Sequence, residues 1–447
     1  MMRRQQFRRG QVLVLFAVIL PLLLGFVALA VDVVYAFMVK AALVTAVDAS
    51  ALAGSRAIVN GDAAVAAAVD RTFHANLPDD YLVRGAPSYV RSGITTEANG
   101  SRSITVTGTA RSPTFFLGVF GYTGWDVKAY AKAGRRDINL ILILDRSGSL
   151  VDAGAWVDVQ AGAKFFVQQF DDAHDKVGLV SFGTNSLVDY SPQTSFKTLL
   201  VNLINNMQAR HGNDTNSPLG LYLAYDALRT LNDTSAQNVI VLFTDGRSDA
   251  IPGQFDVRTI GSLRCPSTPQ NGVYMTGNSG GPVYGIFTLR PTFSPGTWPT
   301  PDYSLIGGCT GLNSSGSNGP SLLAVPPRFR DTWIPPIGPP VSVMRATTYG
   351  GSAVDLNNTT DGVNLINMCQ NMLLNLAQAA RQDPLQIRIL TIGLGDEIKE
   401  SVLEGVANVP PYTMNGQPVG QYVHAPDHTQ LLDAFRQVAS SISHLIQ

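Results

Sequence analysis

In Asp145-Arg146-Ser147-Gly148-Ser149 one carboxylate and two hydroxyls stand at alternate positions, close enough to serve one small ligand from a single loop. Two more oxygen donors follow. Thr215 lies inside the polar run His211-Gly212-Asn213-Asp214-Thr215-Asn216-Ser217-Pro218, and Asp245 lies inside Thr244-Asp245-Gly246. Carboxylates and hydroxyls are hard ligands, which suit Mg2+ or Mn2+ far better than a thiophilic metal. With only two carboxylates among these five donors, a divalent cation held there keeps uncompensated positive charge. It can then take a carboxylate of another molecule as a further ligand, which is chemistry suited to binding more than to turnover.

Other chemistries find less support. The six His are scattered without zinc-ligand spacing, and Gly393-Leu394-Gly395 is too short for a dinucleotide fingerprint. Gly277-Asn278-Ser279-Gly280-Gly281-Pro282-Val283 resembles the nucleophile segment of chymotrypsin-like serine proteases, with Asn278 where Asp is usual. A triad needs a His and an Asp held by a scaffold, and His74, His174 and His211 belong to segments with other assignments. The chain reads as a binding protein and not as an enzyme.

The donors need strands to hold them. Ile138 to Leu144 is almost continuously apolar, as expected of a central parallel strand covered on both faces. The Asp145 loop follows at its carboxyl end, where ligand sites of open α/β sheets lie. A helix from about Ala155 to Phe170 and a strand at Val177 to Phe182 come next, then the polar loop and a helix through Leu231. A second apolar strand, Val239 to Phe243, delivers Asp245.

These residues strongly resemble a von Willebrand factor type A domain with a metal-ion-dependent adhesion site. Its Asp-x-Ser-x-Ser motif corresponds to Asp145, Ser147 and Ser149, its Thr to Thr215 and its Thr-Asp-Gly to Thr244, Asp245 and Gly246. The resemblance implies that Asp145, Ser147 and Ser149 hold the cation, that Thr215 completes or gates the site, and that Asp245 reaches the metal through water. The family's fifth strand resembles Ile387 to Gly395, and its tail resembles Tyr422-Val423-His424-Ala425 followed by a helix from about Thr429 to Ile446. The implied fold is a doubly wound, Rossmann-like α/β domain over residues 136–447.

That domain is interrupted. Residues 251–360 hold 16 Gly and 15 Pro, and the strand-helix alternation stops there. The insertion leaves the domain beside Asp245, so it either caps the site, extends a recognition surface or forms a loose loop. Export permits a disulfide: Cys265 and Cys309 lie in the insertion and are candidates for a bridge, and Cys369, in the helical stretch Asp361 to Ala380, is expected as a small buried apolar residue.

Export is argued from the amino terminus. Arg3, Arg4, Arg8 and Arg9 precede Val12 to Val31, twenty residues without a formal charge before Asp32. At about 1.5 Å per residue this run crosses a hydrocarbon core of about 30 Å. The arginines keep the tip cytoplasmic and send the body to the opposite side of the membrane. Ala28-Leu29-Ala30 also has the form of a signal-peptidase site, so a cleaved signal is the alternative to a retained anchor. The helix is expected to continue past the membrane into an Ala-rich stretch, with 12 Ala among residues 41–70, that needs a packing partner.

Arg9-Gly10-Gln11, Asp32 and Val47-Asp48-Ala49-Ser50-Ala51-Leu52-Ala53-Gly54 resemble the TadE/TadG-like region of tight-adherence (Flp) pilus-assembly proteins. Pseudopilin relatives carry Glu at the fifth position after the cleavage point, where this chain has Leu15. The resemblance therefore implies the membrane-retained, TadG-like branch. Residues 59–135 read as a small α+β spacer, with a helix at Asp62 to Ala75 and strands at Ser103 to Gly108 and Asp126 to Ala131. Thr114 to Phe120, rich in aromatics, is expected to pack in the core, with a docking surface as the alternative.

Composition fits this division. At about 150 residues per domain, 447 residues predict about three units, here 1–58, 59–135 and 136–447. Thirty-two Lys and Arg against 33 Asp and Glu leave a net charge of −1, which offers nucleic acid no global attraction. The expected function is a membrane-anchored module that binds a protein partner through a metal-bridged carboxylate, other tight-adherence pilus components being candidates. The alternative is a structural tether acting through its N-terminal helix, with a vestigial metal site.

Overall fold

Residues Arg9–Ala57 form one helix, α1, of 49 residues with Pro21 inside it. Its two halves differ. From Leu15 to Val31 every residue except half-buried Ala28 is exposed, although nearly all are apolar. Beyond them Val39, Leu43, Ala46, Val47 and Ala51 are buried, a stripe at helical spacing. The computed structural model describes residues 9–97, 100–210, 214–256 and 362–445, with strands between residues 270 and 355. It divides into two compact units, Met1–Arg136 and Asp137–Ile446.

In the first unit, α1 and α2 (Asp62–Asn76) pack on a four-stranded antiparallel sheet of β1 (Ser88–Arg91), β2 (Thr95–Thr96), β3 (Arg102–Ser112) and β4 (Trp125–Arg135). This sheet is the partner that the Ala-rich stretch requires. Gly108 on β3 permits the close approach, since a Cβ there would lie 2.6 Å from Val47 and 2.9 Å from Leu43. Both strands run longer than the sequence suggests, because they pair along their full length, from Arg102↔Arg135 to Ser112↔Trp125.

The segment after β3 departs from expectation. Two of its aromatics stay out of the core: Leu117–Phe120 forms a 3-10 turn, and Phe115 and Phe116 are 55% and 48% exposed. The core of this unit lies between sheet and helices, and the turn joins β3 to β4 beyond the end of that sandwich.

The second unit is doubly wound. Its elements are β5 (Ile138–Asp145), α3 (Ser149–Asp152), α4 (Trp156–Val167), β6 (Lys176–Phe182), β7 (Ser186–Gln193), α5 (Lys197–Asn206), α6 (Ser217–Leu231) and β8 (Gln237–Thr244). After the insertion, which holds β9 to β17, follow α7 (Gly362–Arg381), β18 (Arg388–Leu394), α8 (Glu400–Ala407), β19 (Gln421–Ala425) and α9 (Leu431–Leu445). The sheet order is β19-β18-β8-β5-β6-β7, parallel except for the antiparallel edge β7. All eight residues of β5 are buried. Ile141 and Ile143 point into the core under α6, α7 and α8, whereas Leu140, Leu142 and Leu144 point into that under α4, α5 and α9, the period-2 alternation of a strand covered twice.

Within the insertion, β9 (Ala250–Asp256), β10 (Gln270–Thr276), β11 (Val283–Leu289), β12 (Tyr303–Thr310) and β13 (Ser321–Ala324) form an antiparallel sheet in the order β12-β11-β10-β9-β13. Two short antiparallel pairs follow, β14 (Thr332–Trp333) with β15 (Val341–Ser342), and β16 (Arg345–Thr347) with β17 (Ala353–Asp355). Cys369 is buried, as expected. The side chains of Cys265 and Cys309 lie outside the described residues, and so does the proposed bridge.

Candidate metal-binding site

Strands β5 and β8 are parallel neighbours with Leu144 opposite Phe243, so the chain reaches Asp145 and Thr244 side by side at the carboxyl edge of the sheet. The Thr244 hydroxyl donates to Asp145 Oδ2 at 2.6 Å, and the Ser147 backbone N–H donates to Asp145 Oδ1 at 2.8 Å. Both bonds aim the Asp145 carboxylate. Ser147 Oγ lies 3.0 Å from Ser149 Oγ and donates to Asp245 Oδ1 at 3.2 Å. Four of the five sequence-predicted donors, Asp145, Ser147, Ser149 and Asp245, are thus linked in one cluster. Asp145, Ser147 and Asp245 are buried, whereas Ser149 is partly open to solvent.

Thr215 arrives from the start of α6. Asn216 caps that helix through its side chain, which accepts from the Leu219 N–H, and Pro218 occupies the first turn. Thr215 and Asp249 hold each other: the Thr215 N–H donates to Asp249 Oδ1 at 2.6 Å, and the Asp249 N–H donates to Thr215 O at 3.1 Å. A Cβ built on Gly246 would lie 3.4 Å from Thr215 Oγ1, so the threonine hydroxyl stands beside the Thr244-Asp245-Gly246 loop.

The electrostatics are those of a set of donors short of positive charge. Burial raises the Asp145 carboxyl above its ordinary range. Asp245 is pushed up to about 7 by burial first and by the charge of Asp145 second. Burial, then the charge of Asp214, drives Asp249 well up. Among the described residues no three His, Cys, Asp or Glu side chains gather as a metal cage. The cluster is instead a two-carboxylate, hydroxyl-rich set, which fits a hard divalent cation that would supply the missing charge.

Three contributors escape a motif reading. Arg146, inside the Asp-x-Ser-x-Ser motif, is fully buried; its Nε donates to Ser181 Oγ at 2.9 Å and its backbone N–H to Phe182 O at 2.7 Å, fastening the loop to β6. Thr244 acts through its hydroxyl and not only as part of a turn. Asp249 belongs to the polar stretch Gly246-Arg247-Ser248-Asp249, outside any motif, and only its bond to Thr215 brings it to the site.

The family model for the von Willebrand factor type A domain matches residues 140–247, a span that contains all five donors. A second model, Flp pilus-assembly TadE/G-like, matches residues 10–71. No curated protein matches the chain. Among solved structures, the chain is similar to the PilB minor pilin from Streptococcus sanguinis at 13% identity, over 82% of this chain and 80% of that one, with a TM-score of 0.38. The vWF domain of the type V pili tip protein Mfa5 from Porphyromonas gingivalis matches at 16% identity, over 70% and 98%, with a TM-score of 0.39. Proximal thread matrix protein 1 from the mussel byssus, with a zinc-occupied MIDAS motif, matches at 12% identity, over 69% and 48%, with a TM-score of 0.35.

Proposed function

Because this TadG-like chain joins a TadE/G-like pilus-assembly region to a von Willebrand factor type A domain, we propose that it is a membrane-anchored, exported binding module of tight-adherence pili. It acts in assembling or anchoring the pilus or in surface adhesion, and not as an enzyme. The observation that carries this reading is the convergence of Asp145, Ser147, Ser149 and Asp245 at the ends of β5 and β8, with Ser149 at the open side.

In this reading Asp145, Ser147 and Ser149 would hold Mg2+ or Mn2+, Thr215 would complete the set, and Asp245 would orient a ligand water. When bound, the ion supplies the positive charge that a partner's carboxylate seeks. The chain's own residues do the positioning: Thr244 aims Asp145, Arg146 fastens the loop to β6, and Asp249 holds Thr215. The partner is a protein with an accessible Asp or Glu, other pilus components being the first candidates.

The apolar half of α1, exposed over Leu15 to Val31, supports a single span of the bacterial inner membrane, with the four arginines cytoplasmic and the body periplasmic or extracellular. We divide the chain into the anchor and Ala-rich helix (1–58), the spacer (59–135) and the type A domain (136–447).

Isothermal titration of the full chain in detergent with Mg2+ tests the site. Asp145→Ala should stay folded and bind neither Mg2+ nor the partner captured by crosslinking; unchanged Mg2+ affinity overturns the proposal. A second reading, a tether that works through the first unit alone, is favoured by the separate core of that unit. It predicts that pilus assembly survives deletion of residues 137–447 and that EDTA leaves partner capture intact.

A further inference from the structure

Between Arg9 and Lys40 the sequence has a single charged residue, Asp32. Exposed apolar side chains on α1 do not stop there but continue through Val34 and Phe37 to Met38. Asp32 therefore lies within the apolar belt of the helix, not beyond it. An ionised carboxylate at that level is costly in hydrocarbon, and such groups face protein and not lipid.

Here the carboxylate is buried and enclosed by the turn after β3. Asp32 Oδ1 accepts from the Phe115 N–H at 2.8 Å and from the Phe116 N–H at 3.3 Å; Oδ2 accepts from Phe116 at 3.1 Å and from Leu117 at 2.7 Å. The Phe115 ring meets Tyr35 edge-on, with centroids 5.0 Å apart. Ala28, one helical turn before Asp32 on the same face, is the one residue among Leu15 to Val31 that is not exposed. These contacts fix the turn at the level of Asp32 and Tyr35, inside the belt.

The turn presents aromatic rings outward at that depth. Phe115, Phe116 and Tyr122 are 55%, 48% and 61% exposed, a large apolar offering for a loop tip. Two arginines are bonded to the end of the turn: Arg84 donates to Thr123 O at 2.9 Å, and Arg111 donates to Thr123 Oγ1 at 3.2 Å while its guanidinium also pairs with Asp126 at 3.2 Å. Aromatic rings toward the acyl chains with arginines at the end of the turn match the layering of a membrane interface.

We infer that the turn Thr114 to Tyr122 is a second membrane contact, seated in the outer interface against the anchor helix, with Asp32 as the clasp that holds it there. It takes a lipid bilayer as its partner, with anionic headgroups near Arg84. The inference rests on the anchor reading of α1 and goes beyond it: the anchor becomes a helix plus a wedge, which limits how the first unit can turn about the helix axis.

The test places a photoreactive benzoylphenylalanine at one position at a time in the full chain, reconstituted in vesicles of phosphatidylethanolamine and phosphatidylglycerol, and reads lipid adducts by mass spectrometry. The positions are Phe26 in the span, Phe116 in the turn and Tyr130, 78% exposed on β4. Lipid adducts are expected at 26 and 116 and not at 130, and Asp32→Ala should remove those at 116 while leaving those at 26. Adducts at 26 without adducts at 116, or protein crosslinks in their place, overturn the wedge and leave the anchor standing. No adducts at 26 overturns both. Adducts at 116 that persist in Asp32→Ala overturn the clasp.

Discussion

Asp32 and Asp145 are both fully removed from water, yet their surroundings differ in kind. Asp32 accepts hydrogen bonds from three successive backbone N–H groups of one turn, donors that carry positive partial charge and lack partners of their own at a turn's start. Asp145 accepts from a backbone N–H and a hydroxyl, and then meets a second carboxylate across Ser147. The first aspartate is complete as a structural part. The second is incomplete without a cation, since its charge falls on Asp245, whose carboxyl is already pushed up by burial. The same loss of solvent contact thus conceals opposite roles, and the identity of the neighbouring groups separates them.

The sharpest way to break this comparison is to remove both carboxylates in turn. Asp145→Ala should abolish measurable Mg2+ binding, and in EDTA its melting temperature should equal or exceed that of the parent, because a buried, uncompensated charge has gone. A large loss of stability in EDTA would make Asp145 a structural residue like Asp32. Asp32→Ala should do the reverse, keeping Mg2+ affinity unchanged while destabilising the first unit by about 3 kcal/mol, as three backbone N–H groups lose a charged acceptor. Denaturant unfolding in detergent, followed by Mg2+ titration of the same sample, reads both.

The two aspartates were not equally legible in the sequence. Asp145 announces itself, because three donors stand within five residues after an apolar strand, and local spacing carries the chemistry. Asp32 reads from hydropathy only as the end of a span. Its acceptor role depends on N–H groups at Phe115 to Leu117, more than eighty residues away, and no periodicity connects them. The same limit hid the Thr215–Asp249 pair, whose two loops meet only because α6 and β8 are placed together by the sheet. The aromatics of Thr114 to Phe120 suggest a core segment for a related reason: composition reports that a ring seeks an apolar setting but not what provides it. Helix ends were softer. The helix expected from Ala155 to Phe170 is α4, Trp156–Val167, and Phe170 is buried from outside it.

A smaller effect probes how the first unit is seated on α1. In Gly108→Ala the new methyl would stand 2.6 Å from Val47 and 2.9 Å from Leu43, an overpacking that costs about 1–3 kcal/mol. Because the strain falls on the helix–sheet contact and not on Asp32, the variant should melt earlier with the Asp32 hydrogen bonds retained. Lipid adducts at position 116 then persist below the melting transition. Their disappearance would mean that the turn is held by sheet packing, and the contrast between a self-sufficient Asp32 and a dependent Asp145 would fail.

The smallest expected effect sharpens the other side. Thr244 donates to Asp145 Oδ2 at 2.6 Å, which aims the carboxylate without adding charge. Thr244→Val keeps the shape of the side chain and removes that donor. Mg2+ affinity should fall by roughly tenfold, the lower end of what a partner of a metal ligand contributes. If affinity instead vanishes as completely as in Asp145→Ala, the hydroxyl is itself a ligand and the donor set includes Thr244. If it does not change, the Asp145 carboxylate is held in place by its other donors, Ser147 and the Asp245 backbone. Each outcome is read from one titration, and each fixes how many of the hydroxyls around Asp145 serve the ion and how many serve the carboxylate.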